Sequence, residues 1–229
     1  MKLRALISSG LLCLLACSVV AQQPPQTPEP KAEPPAAKKN ARPANEAEAA
    51  EPFDKMTPEQ MAGRCVTLET EAGDIVIEVL SEAAPESARN FLNLVSIGAF
   101  DTTTFSRVVK DFVVQGGNVA TRESLTQELI RRASRKVPDE PNPVKHLRGV
   151  VSLARPAEAN AATTHFFILL NDSPHLDGTF AAFGRVRSGM EAVDKIAAGE
   201  LEGEKPRNPV RIRRAAVAPC QPPPDPTKK

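Results

Sequence analysis

Hydrophobic positions in the middle of the chain recur with two periods, one of two residues and one near 3.6, and the two separate strands from helices. "RCVTLETEAGDIVIEVL", from Arg64 to Leu80, alternates apolar and polar residues on either side of a turn at Ala72-Gly73-Asp74, which predicts two paired strands. In "APESARNFLNLVSIGAF" the spacing changes: Ala88, Phe91, Leu92 and Val95 stand at i, i+3, i+4 and i+7. Pro85 and Glu86 suit the first turn of that helix and Gly98 suits its end. Strands are predicted next at about Thr104–Val109 and Phe112–Gln115. Others follow in "GVVSLA", "HFFILL", "FAAFGRVRS" and "NPVRIRRAAV", with a second helix in "GMEAVDKIAAG". Thr121 to Arg148 reads as a long polar insertion. Many antiparallel strands with two separated helices indicate a mainly β domain, a closed barrel capped by the helices.

Composition confines this pattern to one part of the 229 residues. Of 22 prolines only eight lie between Gly63 and Val217, whereas eight of the nine phenylalanines lie between Phe91 and Phe183. A core of roughly 155 residues is ample for one domain, and its bounds are set at 62–218. Residues 22–61, rich in Pro, Ala, Glu and Lys, read as a disordered linker that cannot bury enough apolar surface to offset its ordering entropy. The Pro-rich residues 219–229 read as a disordered tail.

The first 21 residues, "MKLRALISSGLLCLLACSVVA", combine a basic start, an apolar run of about a dozen residues and small residues behind it, the pattern of an export signal. Two cleavage readings stand. "LLAC" resembles a bacterial lipobox that would leave a lipidated Cys17, while "VVA" before Gln22 resembles an ordinary signal-peptidase site. Export implies a periplasmic or envelope location, with a membrane contact only through the lipid.

Lys plus Arg is 29 against 28 for Asp plus Glu, so no basic field exists to draw nucleic acid. The three histidines, His146, His165 and His175, lack metal-ligand spacing, and no nucleophile elbow or phosphate loop is present. No metal, cofactor, hydrolase or transferase chemistry is expected.

One stretch does not fit a purely structural role. "TFSRVVKDFVVQGGN", Thr104 to Asn118, reads as two strands, yet Arg107 and Gln115 carry a planar cation and an amide on the same parity as Val113. The stretch "FSRVVKDFVVQGGN" resembles the cyclophilin signature. "VPDEPNPVKHLRGVVSLAR", "THFFILLNDSPHLDGTFAAFGRV" and "GMEAVDKI" resemble further parts of that family in the same order, so the likeness spans nearly all of Arg64 to Val217.

The resemblance implies an eight-stranded antiparallel barrel with a helix at each end and peptidyl-prolyl cis-trans isomerase activity without a cofactor. It implies a catalytic Arg107 supported by Gln115. A substrate seat would be formed by Phe112, Val113, Ala154, Arg155, His165, Phe167, His175, Leu176 and Phe180. Four positions depart from the pattern: Val113 replaces a Met, His165 a Gln, His175 a Trp and Phe180 a His. In the family the first and last strands are antiparallel neighbours, which brings Cys65 and Cys220 near enough for a disulfide, the alternative being two unpaired thiols at the ends of the domain. The expected partners are proline-containing polypeptides in the course of folding, met by a monomer. A proline-binding chaperone of the same fold with little turnover is the alternative, and retention of Arg107 favours the enzyme.

Overall fold

The computed structural model describes residues 50–221; the expected export signal, Cys17 and most of the expected linker and tail lie outside them. Alternation in the sequence becomes an eight-stranded antiparallel sheet. Its strands are β1 (Arg64–Thr70), β2 (Gly73–Val79), β3 (Arg107–Val109), β4 (Val113–Gly116), β5 (Val150–Leu153), β6 (Phe166–Leu169), β7 (Ala182–Ser188) and, last in the chain, β10 (Ile212–Pro219). Two further strands, β8 (Leu201–Glu202) and β9 (Lys205–Pro206), make a separate hairpin. The helices are α1 (Pro58–Met61), α2 (Pro85–Ser96), α3 (Gln127–Ala133) and α4 (Met190–Ala197).

The main sheet runs β10-β1-β2-β7-β5-β6-β4-β3, and here the expectation of a closed barrel is corrected. The sheet curls, but β10 and β3 are its two edges. They approach each other only through the isolated bridge Thr104↔Arg211, flanked by Phe105 N–H to Val210 O at 3.0 Å and Ile212 N–H to Thr103 O at 2.8 Å. The three-residue β3 is too short to pair along the eight-residue β10.

Alternate residues of each strand face opposite sides, and the two sides have different fates. Val108, Val114, Val151, Leu153, Phe166 and Ile168 turn into the main core with Phe91, Leu92 and Val95 of α2. Phe91 is its aromatic centre, with ring centroids 4.9 Å from Phe183, 5.4 Å from Phe166 and 5.5 Å from Phe100. Helix α2 has no side-chain cap of its own at Ala84. Instead, Glu140 from the polar insertion accepts the N–H groups of Glu86 at 2.9 Å and Ser87 at 2.7 Å, which satisfies two orphan donors and sets a carboxylate at the positive end of the helix.

The polar insertion also holds α3, which the sequence pattern does not separate from a loop. Its Arg132 is buried, donating to Glu51 and to Asn90 Oδ1 at 3.0 Å. This pairing shifts the expected domain start at residue 62. Phe53 is buried, its N–H donates to Asn93 Oδ1 at 2.9 Å, and Arg89 Nη1 donates to the carbonyls of Phe53 and Met56, each at 2.6 Å. Residues 50–61 therefore pack with the domain, because one aromatic and a set of paired polar groups suffice where composition averaged over the segment suggests too little apolar surface. At the other boundary Cys220 is bonded to Cys65 with Cα atoms 4.8 Å apart. Cys65 pairs with Ala218 inside β1 and Cys220 follows Pro219, the partner of Arg64, so β10 extends one residue past the expected end of the domain.

Candidate active site

The opposite side of the same strands carries a second apolar cluster. Val113, Val150, Phe167, Leu169, Leu176 and Ala182 are buried there, with Phe112, Val144, Ala154, Phe180 and Val109 packed against them. Six of the nine expected seat residues thus meet in one cluster separate from the main core. The remaining three border it: His175 stacks at 5.5 Å on Phe112, Arg155 lies 5.2 Å over the Phe180 ring, and the carbonyl of His165 accepts the N–H of Ala154 at 2.9 Å. Phe180 in turn meets Phe167 edge-on at 5.9 Å. His175 is exposed, Arg155 is largely buried with Nε 3.2 Å from Asp139 Oδ1, and His165 is half-buried, its pKa lowered by desolvation.

Register places the polar residues. Arg107 of β3 faces Gln115 of β4, Gln115 faces Phe167 of β6, and Phe167 faces Ser152 of β5. Directly opposed residues share a face, so these four form one row across the sheet. The row runs from a half-exposed cation at the edge to a fully buried hydroxyl. Arg107 Nη1 donates to Gln115 Oε1 at 3.2 Å. The Gly116-Gly117 pair ends β4 where the chain must pass tightly beneath the segment leading to His165. Gly117 has φ +84°, and a Cβ there would sit 2.2 Å from the Thr164 carbonyl. That positive φ and that close approach both require glycine.

Two groups in this region carry no signal in the sequence. Glu204, in the turn of the β8–β9 hairpin, accepts Arg107 Nε–H at 2.7 Å, and its carbonyl accepts the Val108 N–H at 2.8 Å. The two-residue strands are too short to produce a readable period. The second group lies under the row. His146 Nε2 is 3.1 Å from Ser152 Oγ, and its Nδ1 is 3.2 Å from Asp177 Oδ1. The His146 backbone N–H also donates to Asp177 at 2.8 Å, and its carbonyl accepts the Ser173 N–H at 2.7 Å. Burial lowers the His146 pKa, against the opposing pull of Asp177. The Asp177 pKa is lowered to about 2, first by the His146 backbone N–H and then by Lys145. Separations of 6 and 31 residues leave no local pattern for this network.

What the site offers chemically is an apolar wall next to a fixed cation with donors to spare. Arginine has five N–H groups and no accessible neutral form; Gln115 and Glu204 take two of them.

The sequence profile of the family described as cyclophilin type peptidyl-prolyl cis-trans isomerase/CLD matches residues 65–217. A peptidyl-prolyl cis-trans isomerase of Dictyostelium discoideum is 36% identical over 159 residues, covering 69% of this chain and 99% of that protein. Peptidyl-prolyl cis-trans isomerase A of the bacterium Dickeya dadantii is 34% identical over 164 residues, covering 66% of this chain and 83% of its own. Among solved structures, a Cryptosporidium parvum cyclophilin type isomerase crystallised in the presence of the dipeptide Ala-Pro aligns with a TM-score of 0.59. Its identity is 26%, and the match covers 67% of this chain and 98% of that one.

Proposed function

The chain belongs to the cyclophilin-type peptidyl-prolyl cis-trans isomerase family, and we propose that Arg107 drives its isomerisation from the edge of the sheet. The observation that carries this reading is the row Arg107↔Gln115↔Phe167, which sets a braced guanidinium beside the apolar cluster. Conjugation in the peptide bond imposes a barrier of about 18–20 kcal/mol, and uncatalysed X-Pro exchange takes roughly tens to hundreds of seconds. Rotation needs no nucleophile and no proton transfer. It needs the twisted amide, whose nitrogen has regained its lone pair, to be held better than either planar form.

The proline ring sits against Phe112, Val113, Phe167 and Leu176, which hold it while the preceding carbonyl swings. Free N–H groups of Arg107 donate to the pyramidal prolyl nitrogen and the adjacent carbonyl, and these interactions strengthen as conjugation is lost. Gln115 keeps the guanidinium over the seat. Ala154, Arg155, His165, His175 and Phe180 line the path of the flanking residues and set peptide preference. The presence of Ala-Pro in the crystals of the Cryptosporidium relative supports a proline-containing ligand.

The clients are exported or envelope polypeptides, acted on by a monomer held in the envelope either freely or through lipid on Cys17. The signal-like residues 1–21 support this, as does the Cys65–Cys220 disulfide, since such bonds persist in oxidising compartments. The test is a coupled assay on a short X-Pro peptide with the purified protein. Catalysed exchange supports the reading, and exchange at the uncatalysed rate overturns it. Fractionation of an expressing bacterium, with mass analysis of the mature N-terminus, tests export and distinguishes a lipidated Cys17 from cleavage before Gln22.

A further inference from the structure

We infer that Glu204 is a positioning residue for Arg107, an inference that rests on the catalytic role proposed for that arginine. Arg107 sits on a three-residue edge strand with its side chain 42% exposed, a setting in which a long side chain retains many rotamers. Gln115 alone gives one contact to a neutral acceptor at 3.2 Å, at the end of the guanidinium. Glu204 adds a charge-assisted bond at 2.7 Å to Nε, the one guanidinium nitrogen tied to the side-chain stem. Holding Nε and Nη1 at once fixes both the direction and the plane of the fork, and turns the remaining N–H groups toward the seat.

The carboxylate is itself anchored. Glu204 O accepts the N–H of Val108, the residue after Arg107, so one residue grips both the edge strand and the side chain beside it. The turn that presents it is closed by the pair Glu202↔Lys205, with Gly203 at φ +63°, a left-handed conformation that favours glycine. An exposed ion pair of this kind adds little to folding stability. Its contribution lies in orientation, where an error of about 1 Å can cost up to ~10²-fold in rate.

The experiment compares wild type, Glu204→Ala, Glu204→Gln, Arg107→Ala and the Arg107→Ala/Glu204→Ala double variant. Readouts are kcat and KM on one X-Pro peptide and the ¹⁵N-detected Arg107 Nε–H resonance. The inference expects Glu204→Ala to lower kcat about tenfold with KM within about twofold, and to broaden or lose the Nε–H signal. Glu204→Gln, which keeps an acceptor oxygen, restores most of the rate. In the Arg107→Ala background the Glu204 change has no further effect, because interactions made through a shared partner are not additive. An equal loss from Glu204→Ala in both backgrounds overturns the inference, as does an unchanged Nε–H signal. If Arg107→Ala slows an active enzyme and Glu204→Ala does not, this inference alone fails. If Arg107→Ala is as active as wild type, the reading of Arg107 fails with it.

Discussion

Arg107, Gln115 and Glu204 form a polar cluster at the edge of the sheet; Ser152, His146 and Asp177 form another on the same face, two strands further in than Gln115. By residue type the inner cluster looks the more reactive, with a hydroxyl, an imidazole and a carboxylate joined in series at 3.1 and 3.2 Å. Yet Ser152 is 0% and His146 1% exposed, so no substrate atom can reach the hydroxyl. The outer cluster has no nucleophile, but its cation opens onto solvent and an apolar wall. The contrast teaches that access selects the chemistry. A sealed relay becomes a strut, and here it ties β5 to residues 173–177, which carry His175 and Leu176. Isomerisation asks for a donor and a seat, and on the reading proposed for Arg107 the open cluster would supply both.

Phe167 lies between the two clusters in the same row, so its loss tests both and gives the largest combined effect. Phe167→Ala is expected to cost about 3 kcal/mol of stability and to lower kcat/KM by roughly 10²-fold through the lost seat, read by urea denaturation and the peptide assay. His146→Ala should separate the clusters. It strands the buried Ser152 hydroxyl and opens a cavity, for about 2–3 kcal/mol, while kcat/KM falls only severalfold. A fall in activity as large as that of Phe167→Ala would give His146 a chemical role and break the comparison.

Acid should weaken the inner cluster. Burial holds the His146 pKa below its ordinary 6.5, so its contribution to stability is present above that value and is lost as pH falls toward the lower folded pKa. Asp177, lowered from 3.8 to about 2, contributes above 3.8 and loses that contribution as pH falls through its folded value. Stability is therefore expected to decline from pH 7 to pH 3, checked by denaturation at fixed pH steps. A rise in stability over that range would contradict the assignment. The smallest expected effect is none: a fluorophosphonate probe should leave Ser152 unlabelled in the folded protein, as read by intact mass, and stoichiometric labelling would show the relay to be open.

The outer cluster is more legible in the sequence than the inner one, and the reason is range. Arg107, Val113 and Gln115 lie within nine residues, where strand parity alone places them on one face, and a local motif connects them to a family. Phe167 joins them by register that no local pattern contains. His146, Ser152 and Asp177 come together only after residues 171–177 fold back, and histidine at an apolar face gives no period of its own. Helix α2 is readable because Ala88, Phe91, Leu92 and Val95 repeat at helical spacing, while α3 is not, because its single apolar pair Leu129-Ile130 is followed at once by Arg131 and Arg132 and sets up no repeat. Composition misplaces the domain start for a related reason. It averages over a segment in which a few residues, Glu51, Phe53 and Met61 among them, find partners in the domain. Whether a curled sheet closes depends on the length of its edge strands, and β3 is shorter than its pattern from Thr104 to Val109 suggests.

Arg107 is the residue on which the proposed catalysis depends. The most direct measurement is kcat/KM for one X-Pro peptide with wild type and Arg107→Ala, taken together with the melting temperature of each. A preorganised donor that acts on the twisted amide predicts a loss of about 10²–10³-fold with a melting temperature within about 2 °C of wild type, since the side chain is half-exposed and its ion pair lies at the surface. Equal kcat/KM for the two proteins, with wild type active, would contradict it.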